Sequence, residues 1–115
     1  MAKKFQSGLL TPSVALTDAA PIAVDASKGN YFRFTFVSSS RTMANPTNPQ
    51  DGQLIMFEII QNAGSNTITW DTKYAFSTDI PSPTLTVTAG KRDFLGFVYN
   101  STADLWYCLA VTKGF

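Results

Sequence analysis

The chain has 115 residues, of which 44% are hydrophobic and only 15% charged, and its formal net charge is +1 with one Cys and no His. A chain of this length buries roughly two thirds of the surface that its unfolded form exposes, so we expect one domain with its own hydrophobic core. The near-zero charge argues against nucleic-acid binding, and no apolar stretch approaches the ~20 residues of a membrane-spanning helix. A single Cys excludes an internal disulfide.

Residues 1–12 differ in composition from the rest of the chain. They hold two lysines, isolated apolar residues and a final proline without sustained periodicity, which is typical of an extended arm. Residues 1–4 are basic like the start of a signal peptide, but no continuous apolar segment follows them, so we expect no secretion signal and synthesis in the cytosol. The candidate docking residues of the arm are Lys3, Lys4, Phe5, Leu9 and Leu10.

From residue 13 onward the apolar pattern has a period of two, and we predict an all-β domain over residues 13–115. The clearest strand covers residues 31–37, where Phe32, Phe34 and Phe36 share one face that we expect to point inward. We expect the other strands at residues 13–16, 22–25, 53–61, 67–70, 84–88, 93–99 and 105–112, which gives about eight.

The strand at residues 53–61 is apolar on both faces. Such a strand is either central and covered on both sides or has an outer face that meets another subunit, because a sheet that faces water alternates more cleanly. We name Leu54, Met56 and Ile60, on the face opposite Ile55, as the candidate subunit interface.

Turn signals separate the expected strands. Residues 45–49 and 80–83 contain prolines, which cannot donate hydrogen bonds within a sheet, so we interpret both segments as connections. Short strands at roughly ten-residue spacing, separated by such turns and connections, indicate a single antiparallel β-sandwich or jelly-roll-like domain, preceded by the extended N-terminal arm.

The sequence offers no catalytic or metal-binding constellation. Without His there is no base for a Ser-His-Asp or Cys-His arrangement, and one Cys does not make the usual zinc ligand sets. The eight acidic residues are scattered mostly at strand ends and turns, and no Asp-x-Asp-x-Asp calcium loop is present. We therefore predict no enzymatic activity and no cofactor, and we interpret Cys108 as a small buried side chain.

The positions of three aromatic residues each allow two interpretations, an exposed ligand contact or packing against the core. Trp70 either stacks on a ligand or closes a strand over the core, and the second reading is favoured. Tyr74 and Phe76 lie in a more irregular stretch and are better candidates for an exposed contact, although packing is again favoured.

Several segments together resemble a small β-sandwich domain that is common in tailed-bacteriophage virion proteins. The resemblance runs from about residue 18 to the C-terminus. It implies a structural virion component that is commonly trimeric and has no catalytic activity, at the end of a tail fibre or as a free-standing head protein. The segments are residues 45–53 (NPTNPQDGQ), 67–70 (TITW), 88–93 (TAGKRD) and 97–100 (FVYN), with Trp106.

The short arm bears on the choice between head and tail. A dozen residues before the domain are too few for the shaft of a tail fibre, so we expect a capsid decoration or head-fibre protein on the outer capsid surface. Its expected partners are the major capsid protein, bound through the arm, and two further copies in a homotrimer. The alternative is a receptor- or glycan-binding module of a tail tip, with Trp70, Tyr74 or Phe76 in contact with the host.

Overall fold

Eight β-strands and one short 3₁₀ turn build residues 12–115, the part of the chain that the computed structural model describes. The predicted arm, apart from Pro12, lies outside the described residues. The all-β prediction is confirmed, since the 3₁₀ turn is the only helical piece within residues 12–115. The strands are β1 (Ser13–Ala15), β2 (Tyr31–Thr35), β3 (Arg41–Met43), β4 (Leu54–Ile60), β5 (Ile68–Trp70), β6 (Tyr74–Ala75), β7 (Arg92–Asn100) and β8 (Leu105–Thr112), and the turn is Ala26–Lys28.

The strands form one six-stranded sheet in the order β1-β2-β4-β7-β8-β6 and a second sheet of β3 and β5. The prediction of purely antiparallel pairing is wrong. Only β4–β7 and β7–β8 pair antiparallel, whereas β1–β2, β2–β4, β6–β8 and β3–β5 pair parallel. Parallel pairing needs a connection that returns the chain to the same end of the sheet, and residues 16–30 and 36–53 supply such connections.

The core lies on one face of the six-stranded sheet. Phe32, Phe34 and Phe36 are each at most 2% exposed, which confirms the predicted inward face. From β4, Phe57 pairs in register with Phe32, and their ring centroids lie 5.8 Å apart. Met43 of the second sheet is fully buried in the same cluster, so both sheets share one core.

Two expected strands do not form. At residues 22–25 the chain makes only isolated bridges, from Ile22 to Met43 and from Asp25 to Thr47. At residues 84–88, polar side chains replace the sheet partner: the Thr86 amide donates to Asp93 Oδ2 at 2.6 Å, and its carbonyl accepts from Gln61 Nε2 at 3.0 Å. β3 and β6 were not expected, because neither segment carries an alternating apolar pattern in the sequence.

Candidate functional site

The face of the six-stranded sheet that points away from the core has an apolar centre. Met56 lies opposite Gly96, which in turn lies opposite Ala110. In the next row of the same face, Leu54 lies opposite Val98. Directly opposed residues share one side of a sheet, so the rows of β2, β4, β7 and β8 together define this side. We call it the outer face, formed by Tyr31, Arg33, Leu54, Met56, Glu58, Ile60, Arg92, Phe94, Gly96, Val98, Tyr107, Leu109 and Ala110.

A groove of about 600 Å³ crosses the centre of the outer face. Its floor is low because Gly96 has no side chain and Ala110 has only a methyl group. A Cβ atom added at Gly96 would lie 3.4 Å from Met56 Cε. Leu54 and Leu109, which also line the groove, are 59% and 55% exposed. The groove therefore presents an almost entirely apolar surface to solvent.

A β-bulge in β8 gives Leu109 its exposure. Gly96 pairs with Ala110, but the next residue, Phe97, pairs with Cys108, so Leu109 has no opposite residue. A bulge of this kind breaks the alternation of a strand and redirects a side chain. Cys108 consequently faces the core at 5% exposure while Leu109 and Ala110 both face outward.

A charged cluster borders the groove at one end. Glu58 is only 2% exposed although it lies on the outer face. Its Oε1 accepts a hydrogen bond from the Tyr31 hydroxyl and another, at 3.1 Å, from Arg33 Nε. Its Oε2 accepts a hydrogen bond from Arg92 Nη1 at 2.6 Å. Burial alone would raise the pKa of Glu58, but these three donors outweigh it and hold that pKa below its usual range.

The predicted interface residues occupy different parts of the outer face. Leu54 and Met56, 59% and 37% exposed, line the groove. Ile60 lies at the far end of β4, opposite Arg92, and is partly buried. The sequence analysis did not identify Gly96, Leu109 or the cluster around Glu58. For that cluster, the one available signal was an acidic residue within an otherwise apolar strand.

The three candidate contact aromatics gather around one core ring. The ring centroids of Trp70, Tyr74 and Phe76 lie 5.5, 5.2 and 5.9 Å from that of Phe97. Tyr74 is 6% exposed and its hydroxyl donates to the Ala44 carbonyl at 2.8 Å, and burial raises its pKa. For Tyr74 the packing interpretation is therefore confirmed. Trp70 and Phe76 are partly buried, and a host contact by their remaining surface stays a prediction.

Phe76 also lines a smaller cleft at the β6 edge of the sheet. The cleft measures about 430 Å³ and combines the aromatic side chains of Phe76 and Tyr107 with the polar side chains of Ser77 and Asp79. An aromatic surface beside hydroxyl and carboxylate groups is chemically suited to a sugar ring, whose faces are apolar and whose edges carry hydroxyls.

A third, polar cleft of about 410 Å³ is lined largely by the loop at residues 48–53. Its polar side chains bind the protein itself. Gln53 Nε2 donates to the Ala26 carbonyl at 2.8 Å, and Asp51 Oδ1 accepts from the Ser101 amide at 2.8 Å. The segment that carried the resemblance therefore holds neighbouring loops in place.

Two kinds of site are absent from the part of the chain that the structure describes. Within residues 12–115 no group of three or more His, Cys, Asp or Glu side chains is arranged to hold a metal ion. Over the same residues, no helix has the length and apolar character needed to cross a bilayer. Cys108 is buried as predicted, and burial raises the pKa of its thiol.

Comparison with known proteins gives no relative: no protein-family model, no curated protein and no solved structure matches the chain.

Proposed function

We propose that this protein is a non-enzymatic structural component of a tailed-bacteriophage virion, of the capsid decoration or head-fibre type. In this role it binds the major capsid protein through residues 1–12 and other copies of itself through the domain. The proposal combines the resemblance of residues 45–53, 67–70 and 88–93 with one structural observation, the exposed apolar centre of the outer face.

That observation favours binding to a protein surface. Leu54 and Leu109 are each more than half exposed and line the same groove, whereas monomeric soluble proteins keep contiguous apolar patches small. Removing apolar surface from water contributes roughly 25 cal/mol per Å². Burial of the outer face against another protein therefore provides a substantial driving force for association. Among the described residues that line the groove, the Tyr31 phenol is the only titratable group, and it donates to Glu58.

A subunit of this kind stabilises a shell by mass action. Each copy that binds only the assembled capsid stabilises it by RT ln(1 + [L]/Kd), and the repeated sites of a shell multiply the effect. If copies are joined, the arms of one oligomer bind neighbouring sites at high effective concentration. Weak single contacts thereby suffice for saturating decoration.

The test is binding to bare capsids of the encoding phage. The full chain and a version lacking residues 1–12 are mixed with capsids, and the copies bound per particle are counted by quantitative gel and electron cryomicroscopy. We expect saturable binding at a copy number that matches the capsomers, lost without residues 1–12. Failure of the full chain to bind capsids, or a handful of copies at the tail, would contradict the proposal.

The second candidate function is recognition of a host glycan by a tail-tip module, and the cleft beside Phe76 favours it. Phe76→Ala and Tyr107→Ala would each remove one aromatic wall of that cleft, while Val87→Ala, at a 48% exposed position outside it, serves as the matched control. This function predicts that the two cleft variants lose binding on a glycan array and the control does not. Binding that all three variants retain would exclude the cleft.

A further inference from the structure

We propose that a second copy of this chain occupies the groove of the outer face, with its Leu109 seated over Gly96 and Ala110. The inference rests on the proposed function, because it names the partner of the surface that the function requires. It is carried by the shape, the extent and the charge of the outer face.

The outer face carries a protrusion and a hollow side by side. The bulge in β8 lifts Leu109 out of the strand alternation, and Gly96, opposite Ala110, leaves the hollow. Contacts between identical chains require a surface that complements another part of itself. The exposed Leu109 side chain of β8 and the hollow above Gly96 of β7 lie in one hairpin, and together they meet this requirement.

The extent of the outer face suits a stable contact. Four strands spaced ~4.8 Å apart, with lengths of about seven to nine residues in the longer three, cover roughly 20 by 25 Å in projection. Because side chains roughen the surface, its accessible area exceeds this projected area and approaches the ~800 Å² per partner of a standard-size interface. The outermost strands of the sheet, β1 and β6, have only three and two residues, so the edges offer little room for a partner strand.

The charges around the outer face are compatible with a second copy. Arg33 and Arg92 share the single carboxylate of Glu58, which leaves one positive charge at that end of the β4–β7 pair. Their side chains are 45% and 42% exposed. Asp51 is exposed at the opposite end of the same strand pair, next to Ser101. The two ends of the β4–β7 pair thus carry opposite charges on either side of an uncharged centre, and a second copy can meet guanidinium with carboxylate there.

Sedimentation velocity of the full chain over a range of concentrations tests this inference. We expect the wild-type protein to sediment as an oligomer, a multiple of the 12.5 kDa chain. Leu109→Lys would place an ammonium group in the apolar contact, and Gly96→Val would fill the hollow next to the flexible end of Met56. For each, we expect the dissociation constant to rise more than about tenfold.

Two controls keep the result interpretable. Val87→Lys adds the same charge at an exposed position that does not line the groove, and it is expected to leave the oligomer unchanged. Near-UV circular dichroism of the fully buried Trp106 reports whether each variant is folded. Because Leu109 is exposed, Leu109→Lys should fold even if Gly96→Val does not.

The inference is overturned if the wild-type chain is a monomer at all concentrations, or if a folded Leu109→Lys variant associates as strongly as the wild type. A monomer that binds capsids and loses that binding with Leu109→Lys would put the capsid protein in the groove and would also overturn the inference, while the capsid-binding role in the proposed function would stand. An oligomer that is sensitive to both variants but ignores capsids would support the inference and contradict the proposed function.

Discussion

Among the single residues of the outer face, Glu58 is the one whose charge is buried. A buried carboxylate is costly unless hydrogen-bond donors and opposite charges surround it; Tyr31 donates a neutral hydroxyl, and Arg33 and Arg92 donate from positively charged guanidinium groups. The cluster thereby joins β2, β4 and β7 at the end of the groove. Glu58 is interpreted as a structural residue that fixes the rim of the proposed interface.

Glu58→Gln tests this role through pH. The folded-state pKa of Glu58 lies below its ordinary value of 4.5, so the unfolded chain takes up this proton first as the pH falls. The stabilisation is therefore fully present above the unfolded-state pKa and is lost as the pH falls through the folded-state pKa. At neutral pH the variant should lose about 1–3 kcal/mol of unfolding free energy, at the lower end because both arginines are nearly half exposed.

Urea unfolding at about pH 7 and about pH 3 measures both effects. The difference between wild type and Glu58→Gln should shrink at the lower pH. Asp79→Asn, at an exposed acid outside the cluster, is the control and should change neither value much. A Glu58→Gln variant with the same deficit at both pH values would contradict the assigned role.

At the scale of elements, the segment at residues 84–88 shows how side chains replace a sheet. Asp93 is 2% exposed; its Oδ2 accepts from the Thr86 amide at 2.6 Å and its Oδ1 from the Gly114 amide at 2.9 Å. One carboxylate therefore attaches both this segment and the C-terminal residues to the start of β7. Buried main-chain groups need partners, and here a side chain provides them.

Asp93→Asn should release one of these two attachments, because an amide has one acceptor oxygen where the carboxylate has two. We expect a loss of about 1–3 kcal/mol in unfolding free energy and faster hydrogen exchange at the Thr86 or Gly114 amide. Hydrogen exchange followed by NMR measures the effect for each amide. Asp71→Asn, whose acid accepts only from the adjacent Thr72 amide in the described side-chain hydrogen bonds, is the control. Unchanged exchange at both amides would refute the attachment.

The elements also show which features the sequence could predict. The apolar pattern located β2, β4, β7 and β8 because each has one face in the core. It could not give parallel pairing, which depends on the route of the connections. It could not give the groove either: the bulge that exposes Leu109 appears only when β8 is paired with β7. Leu54 and Met56 were found because an apolar residue on an outer face is visible within one strand.

At the scale of the whole molecule, the six-stranded sheet has one face in the core and one face that is apolar at its centre but solvent-exposed in the single chain. A low content of charged residues, 15%, and a net charge of +1 give little electrostatic repulsion between copies. These properties suit a protein that works in many copies on a larger particle. The proposed function therefore requires the outer face to be covered in the assembled state.

Hydroxyl-radical footprinting of Met56 tests that claim most directly. Met56 is 37% exposed on the outer face, while Met43 is fully buried in the core and serves as an internal control. The full chain would be footprinted in dilute and in concentrated solution. If the outer face is covered by a second copy, we expect the oxidation of Met56 to fall with increasing protein concentration while Met43 stays unreacted throughout. Equal oxidation of Met56 at both concentrations would contradict this expectation.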